Sequence, residues 1–233
     1  MSQAPAKRVR VIINTDAKNE ADDQYAIVHG LLTPLFELHG IVPAHFGSIK
    51  SPHTLKDSHD EVMLLLRLMN LEGKVTVADG AQGPIADENT PAPSAGAELI
   101  VREAMKDDPR PLHVAFLGPL TDMASAILME PRIAQRNVRV VWIGGGYWPV
   151  GNREYNLSND IAGANVVARS GIEIWQIPMA VYRKMPVSYA ELYERVHDKG
   201  PIGKYLVDQL IDWNEKTAVL PMEHRSLGDS PAI

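Results

Sequence analysis

Between residues 16 and 23 the chain reads Asp16-Ala17-Lys18-Asn19-Glu20-Ala21-Asp22-Asp23, with four carboxylates in eight positions. Carboxylates crowded into one turn repel each other unless positive charge sits among them, and a helix N-terminus supplies only about half an elementary charge. A hard divalent cation held by carboxylate and carbonyl oxygens neutralises such a group fully. The spacing is not that of an EF-hand, because its central glycine and closing glutamate are missing. From local pattern alone, a solvated acidic helix cap with Asp22 or Asp23 as the capping residue accounts for the same residues equally well.

Further groups capable of chemistry lie downstream. Gly144-Gly145-Gly146 is followed by Glu154-Tyr155-Asn156, and Asp160 opens the next helical pattern. If residues 154–156 are extended, Glu154 and Asn156 project to the same side and could both hold hydroxyls, although a plain surface loop fits too. Gly118-Pro119-Leu120-Thr121-Asp122 reads as a strand-to-helix turn with proline near the first helical position. There a functional contribution would fall to the backbone carbonyl of Leu117. Asp229, in Leu227-Gly228-Asp229-Ser230, is not placed by local pattern. The eight histidines show no paired metal-ligand spacing, so His45 and His224 read as structural or solvated. No nucleophile elbow, P-loop or dinucleotide fingerprint stands in its required context.

These residues must be carried by elements. Val9 to Ile13 is a β-branched run closed by Asn14 and reads as a buried strand. Gln24 to Leu32 has apolar residues at helical spacing and stops before Pro34. The alternation continues with a strand near Leu38–Val42, a helix from about Ser58 to Met69 and a strand at Lys74–Ala78. A proline-rich surface loop from Asp79 to Gly96 precedes a helix over Ala95–Met105 and a strand over Leu112–Leu117. A helix at Leu120–Met129 and a strand at Val138–Ile143 come next. After an irregular segment reaching Asn159 the pattern gives a helix over Ile161–Ser170, a strand over Ile172–Ile177 and mostly helix from Tyr189 to Trp213.

Short apolar strands alternating with helices build βαβ units. The expected fold class is α/β, a single domain over residues 1–233 with a mainly parallel twisted sheet flanked by helices. Ligands of such sheets bind at the carboxyl ends of the strands. That rule nominates Asn14–Asp23, Ala44–Gly47, Leu117–Thr121 and Gly144–Asn156 as pocket walls. The bulk numbers narrow the partners. With a net charge of −6, nucleic acid and anionic membrane are not expected. Without cysteine, disulfides, thiolate zinc sites and a cysteine nucleophile are excluded. No apolar run approaches the roughly 20 residues of a membrane span, and a cytoplasmic location is expected.

Taken in order, these pieces resemble the inosine-uridine-preferring nucleoside hydrolase family, whose members have a Rossmann-like core. The family opens with a strand and a loop of the form DxDPGxDD, which Asn14 to Asp23 resembles with two extra residues and without Pro-Gly. Its Gly-Pro-Leu-Thr-Asn turn is similar to Gly118–Asp122. Its Met-Gly-Gly strand end is similar to Ile143–Gly146, and its Glu-Phe-Asn with a following Asp to Glu154-Tyr155-Asn156 and Asp160. The resemblance implies hydrolysis of the N-glycosidic bond of a ribonucleoside or related N-riboside, with calcium as cofactor. It implies Asp16 as general base and metal ligand, with Asp23, the Leu117 carbonyl and Asp229 as further metal ligands. Asp22, Glu154 and Asn156 would hold sugar hydroxyls. Members often form dimers or tetramers, so a homo-oligomer is an expected partner. The departures are Asn14 where an Asp is usual, Phe46-Gly47-Ser48 where Gly-Asn is usual, and Gly228 where a histidine protonates the leaving base in many members. Relatives also continue beyond the position of Ile233, which points to a C-terminally shortened chain. These departures leave open a ribose- or nucleoside-binding protein of the same fold.

Overall fold

The structure is a computed structural model that describes residues 8–220 and 222–233, so most of the polar N-terminal stretch lies outside the described residues. β1 (Val9–Thr15) is buried at every position after Val9 because both of its faces are covered. Val11 and Ile13 point into one core and Ile12 into another, as the two-residue period of a strand requires. β2 (Phe36–Pro43), β3 (Leu112–Phe116), β4 (Val138–Ile143) and β5 (Glu173–Ile177) complete a sheet in the order β2-β1-β3-β4-β5, and every pairing is parallel.

The helices are α1 (Asp23–Leu32), α2 (Thr54–Leu68), α3 (Ala95–Ala104), α4 (Thr121–Met129), α5 (Tyr155–Asn159), α6 (Ile161–Arg169), α7 (Met179–Tyr182), α8 (Tyr189–Leu192) and α9 (Gly200–Thr217). Helices α1, α2 and α9 bury Ile27, Leu65 and Leu210 against the Val11–Ile13 face. On the opposite face, α3, α4 and α6 bury Ile100, Met123 and Val167 against Ile12, Val114 and Phe116. Helices therefore cover both faces of one parallel sheet, as the alternating pattern predicts. Among the described residues no helix is long and apolar enough to cross a membrane.

Three local expectations are corrected, and one strand pair is added. The strand expected at Lys74–Ala78 shrinks to one parallel bridge between Ile41 and Val77. Lys74 spends its N–H on Leu71, and the chain turns at Gly80, whose N–H goes to the Pro43 carbonyl at 2.9 Å. Helix α2 begins four residues before Ser58, which buries Leu55. Residues 155–159 are helical, not extended: Glu154 caps α5 by accepting the Leu157 N–H at 2.9 Å. Finally, β6 (Pro186–Ser188) and β7 (His224–Ser226) form an antiparallel pair that sequence periodicity does not announce, because three-residue strands carry too little pattern.

Strand order reverses direction between β1 and β3: from β1 the chain moves outward to β2, and from β3 it moves the other way to β4 and β5. Beyond the carboxyl ends of these two strands the departing loops separate and leave a crevice. Asp16 follows β1 there and Leu117 follows β3, with Leu117 N donating to the Asn14 carbonyl at 2.9 Å.

Candidate metal and catalytic site

A cavity of about 70 Å³ occupies this crevice, and Asp16, Asp22, Asp23, Leu117, Glu154, Asn156 and Asp229 all line it. The residues singled out in the sequence are thus brought together from separate segments of the chain. Asp229 reaches the cavity because β7 pairs with β6. Ser226 Oγ donates to the Tyr182 carbonyl at 2.8 Å and Leu227 N to the Met185 carbonyl at 2.9 Å, which anchors the chain just before Gly228-Asp229.

Asp16, Asp23 and Asp229 are only 1%, 2% and 6% exposed. Asp22, Asp23 and Asp229 each place one carboxylate oxygen so that the three lie within 4.8 Å of one another, a grouping that can hold a metal ion. Asp16 stands beside that triangle, and its Oδ2 is buried without a hydrogen-bond partner. Gly118 backs it so closely that a Cβ would meet Asp16 Cγ at 2.9 Å, so a larger residue would push the β3 end away. The protein supplies few donors to these acids. Thr15 Oγ1 donates to Asp23 Oδ1 at 2.6 Å and Gly228 N to Asp22 Oδ2 at 2.8 Å.

The electrostatics follow. Burial first, then the charge of Asp23, raise Asp16 well above the ordinary carboxylate range. Burial and Asp22 do the same for Asp229. Burial, then Glu20, push Asp22 up to about 7, and burial pushes Asp23 up to about 6 against the Thr15 hydrogen bond. Asp22 does occupy the N-cap position of α1, but its carboxylate makes no capping bond. The helix-cap reading therefore leaves these acids unexplained. Buried, all-oxygen and short of donors, the set has the chemistry that a hard divalent cation requires.

Asn156 and Glu154 are held more tightly than the sequence suggests. Asn156 Nδ2 donates to the Leu117 carbonyl at 2.7 Å and to the Ile143 carbonyl at 2.9 Å, tying together the ends of β3 and β4. Both its amide hydrogens are spent, so Oδ1 is the atom left for a ligand. The Leu117 carbonyl keeps one lone pair. Glu154 Oε2 accepts from Gly145 N and Leu157 N, each at 2.9 Å, and Oε1 accepts from the Tyr182 hydroxyl at 3.0 Å. Burial and the Glu154 carboxylate raise the Tyr182 phenol, which keeps its proton for that bond.

Sequence reasoning missed Thr15, Tyr182 and the Gly228 N–H. It also missed why Asn14 is not an aspartate. Asn14 Nδ2 donates to Asp122 Oδ2 at 2.9 Å, while Asp122 Oδ1 accepts from Ala81 N at 2.9 Å and Ser94 Oγ at 2.7 Å. Relative to the family motifs, the acid and the amide have changed places across this contact, and the charge has moved rather than vanished. His45 proves structural. Thr121 gives its proton to Asp160 Oδ2 at 2.6 Å, so His45 Nε2 must donate to Thr121 Oγ1 at 2.9 Å, leaving Nδ1 to accept from Gly47 N at 3.2 Å. That neutral tautomer agrees with burial lowering its pKa to about 4. Gly228 also has a local reason: a Cβ there would stand 3.0 Å from Asp22 Oδ2 and 3.3 Å from Tyr182 Cδ2.

Comparison with known proteins matches this geometry. The model of the inosine-uridine preferring nucleoside hydrolase family aligns with residues 11–229. The chain is 26% identical over 240 residues to uridine nucleosidase 1 of Arabidopsis thaliana, covering 91% of this chain and 69% of that protein. It is also 26% identical to the pyrimidine-specific ribonucleoside hydrolase RihA of Salmonella paratyphi B, covering 87% and 70%. A solved plant nucleoside hydrolase, PpNRh1, superposes with a TM-score of 0.75 at 19% identity, covering 98% of this chain and 77% of that one. The family match begins inside β1 and ends on Asp229, spanning every residue that lines the acidic cavity, and the chain belongs to the inosine-uridine preferring nucleoside hydrolase family, an enzyme of the hydrolase class.

Proposed function

We propose that the protein hydrolyses the N-glycosidic bond of a ribonucleoside or related N-riboside, with a calcium ion in the acidic cavity and Asp16 as general base. The observation that carries this reading is the donor-poor set of buried carboxylates at the crevice, above all the unpartnered Asp16 Oδ2. Asp16, Asp23, Asp229 and the Leu117 carbonyl would hold the ion, with Asp22 close enough to share it. When bound, calcium supplies the positive charge these carboxylates lack and makes loss of a proton from water easier.

The residues of the chain have separate tasks. Asp16 Oδ2 takes one proton from the attacking water. Asp22 Oδ1, Asn156 Oδ1 and the remaining lone pair of Glu154 Oε1 accept hydrogen bonds from sugar hydroxyls, and Tyr182 with Gly145 keeps Glu154 in place. As the water oxygen bonds to C1′, the C1′–N bond breaks and its electron pair leaves with the base nitrogen. The sugar becomes oxocarbenium-like, and the surrounding carboxylates stabilise that positive charge. The departing nitrogen takes a proton from solvent and Asp16 returns its own to solvent, so the products are ribose and the neutral free base. Gly228 offers no acid to the departing nitrogen, which favours bases that leave without prior protonation.

The test is release of reducing sugar from uridine, cytidine and inosine in calcium buffer. Wild-type protein is expected to turn over at least one of them, and Asp16→Asn to lose roughly 10²–10⁴-fold in kcat/KM. Tight ribose binding with no turnover of any nucleoside would instead favour a sugar-binding protein of this fold.

A further inference from the structure

The acidic cavity opens on one side into a second cleft of about 460 Å³, sharing Glu20, Asp22, Glu154, Tyr155, Tyr182 and Gly228 with it. Glu20, Asp22 and Glu154 line the part of the cleft shared with the acidic cavity, and Arg153, Arg183, His224 and Arg225 line the part beyond it, so the charge changes sign along this path. Arg225 is committed: Nη2 donates to Glu20 and Nη1 to Asn214 Oδ1 at 2.8 Å. Arg153 and Arg183 are exposed and form no ion pair among the described residues. Their placement is built into the site. Arg153 directly precedes Glu154 and Arg183 directly follows Tyr182, and the 3.0 Å bond between Tyr182 and Glu154 brings the two segments together.

Two uncommitted guanidinium groups are unexpected beside the catalytic pocket of a chain with net charge −6. A neutral nucleoside has no need of them, whereas an anionic one would be repelled by Asp22 and Glu154 without a counter-charge. The arginine fork matches phosphate and carboxylate oxygens in pairs. We propose that the outer cleft is an anion subsite, and that the preferred substrate is an N-riboside carrying a phosphate or carboxylate away from the glycosidic carbon. This deepens the hydrolase reading and rests on it for turnover, but not for binding.

The test compares kcat/KM in calcium for uridine, uridine 5′-monophosphate and orotidine, using the full chain and a variant carrying Arg153→Ala and Arg183→Ala. At least one anionic substrate should exceed uridine by tenfold or more. A winning monophosphate places the anion on the sugar, and a winning orotidine places it on the base. The preference should fall at least tenfold in the double variant and shrink as salt is raised. Equal or better use of uridine, or a preference the double variant keeps, overturns the proposal. Calorimetry in calcium with ribose against ribose 5-phosphate, and with uridine against orotidine, separates the two failures. With inactivity on all three substrates, binding alone decides the subsite. Selective binding of ribose 5-phosphate over ribose, or of orotidine over uridine, abolished in the double variant, would support the subsite, and equal binding within both pairs would refute it.

Discussion

Two sets of buried carboxylates flank the end of β1, and the fold treats them differently. Asp122 accepts hydrogen bonds from Asn14, Ala81 and Ser94, and Asp160 from Gly163, Ile85 and Thr121. Those two acids are finished structural units that staple the 79–94 loop and the starts of α4 and α6 to the sheet. Asp16, Asp22, Asp23 and Asp229 are buried too, yet among the described residues the donors to their carboxylates from outside the acidic loop and Asp229 itself are Thr15 and Gly228. Buried polar groups are normally satisfied, so a set left wanting marks a place where binding, rather than folding, completes the hydrogen bonds and balances the charge. Acidity and burial do not separate scaffold from site here; the supply of donors does.

The comparison can be broken experimentally. The largest effect is expected from Asp16→Asn, a loss of roughly 10²–10⁴-fold in kcat/KM. Because that change removes a repelled charge, the melting temperature should hold or rise. A matching loss of stability would mean Asp16 belongs to the scaffold. On the scaffold side, Asn14→Asp would face Asp122 with a second carboxylate and should cost about 3–5 kcal/mol in denaturant unfolding. Adding Asp122→Asn should recover most of it, because the new amide can donate to the carboxylate introduced at position 14 while its oxygen still accepts from Ala81 and Ser94. Failure of that rescue would show that the exchanged pair is not a closed unit. Saturating calcium against chelator should stabilise the protein by about 2.7 kcal/mol at a hundredfold excess over Kd, or roughly 5–10 °C in Tm. The smallest effect is expected for Tyr182→Phe, about 1 kcal/mol in stability with a modest rise in KM for the N-riboside, as Glu154 loses one of its three donors.

What could be read from the sequence follows the same division. The parallel sheet was legible because Val9–Ile13, Leu112–Leu117 and Val138–Ile143 are short, mostly apolar runs, each broken only at its second position by Arg10, His113 or Arg139, and helical patterns separate them. The crevice was legible because ligands lie at carboxyl ends of strands, so Asp16 and Leu117 could be placed before any contact was known. The β6–β7 pair was not legible, and with it the reason Asp229 reaches the cavity. The helical turn at Tyr155–Asn159 was hidden because its cap, Glu154, reads as a ligand-holding acid when the capping bond is unseen. Tyr182 gives no local signal, since its role comes from a contact 28 positions away in the chain. Long-range donors decide which acids are satisfied, and sequence spacing does not report them.

Whether the unsatisfied acids at the β1–β3 crevice form a calcium site is tested most directly by a crystal structure of the full chain in millimolar calcium, refined with anomalous data. One ion is expected there, with Asp16, Asp23, Asp229 and the Leu117 carbonyl at about 2.3–2.6 Å. A crevice without an ion under those conditions, or an ion held elsewhere with Asp16 uninvolved, would contradict that expectation.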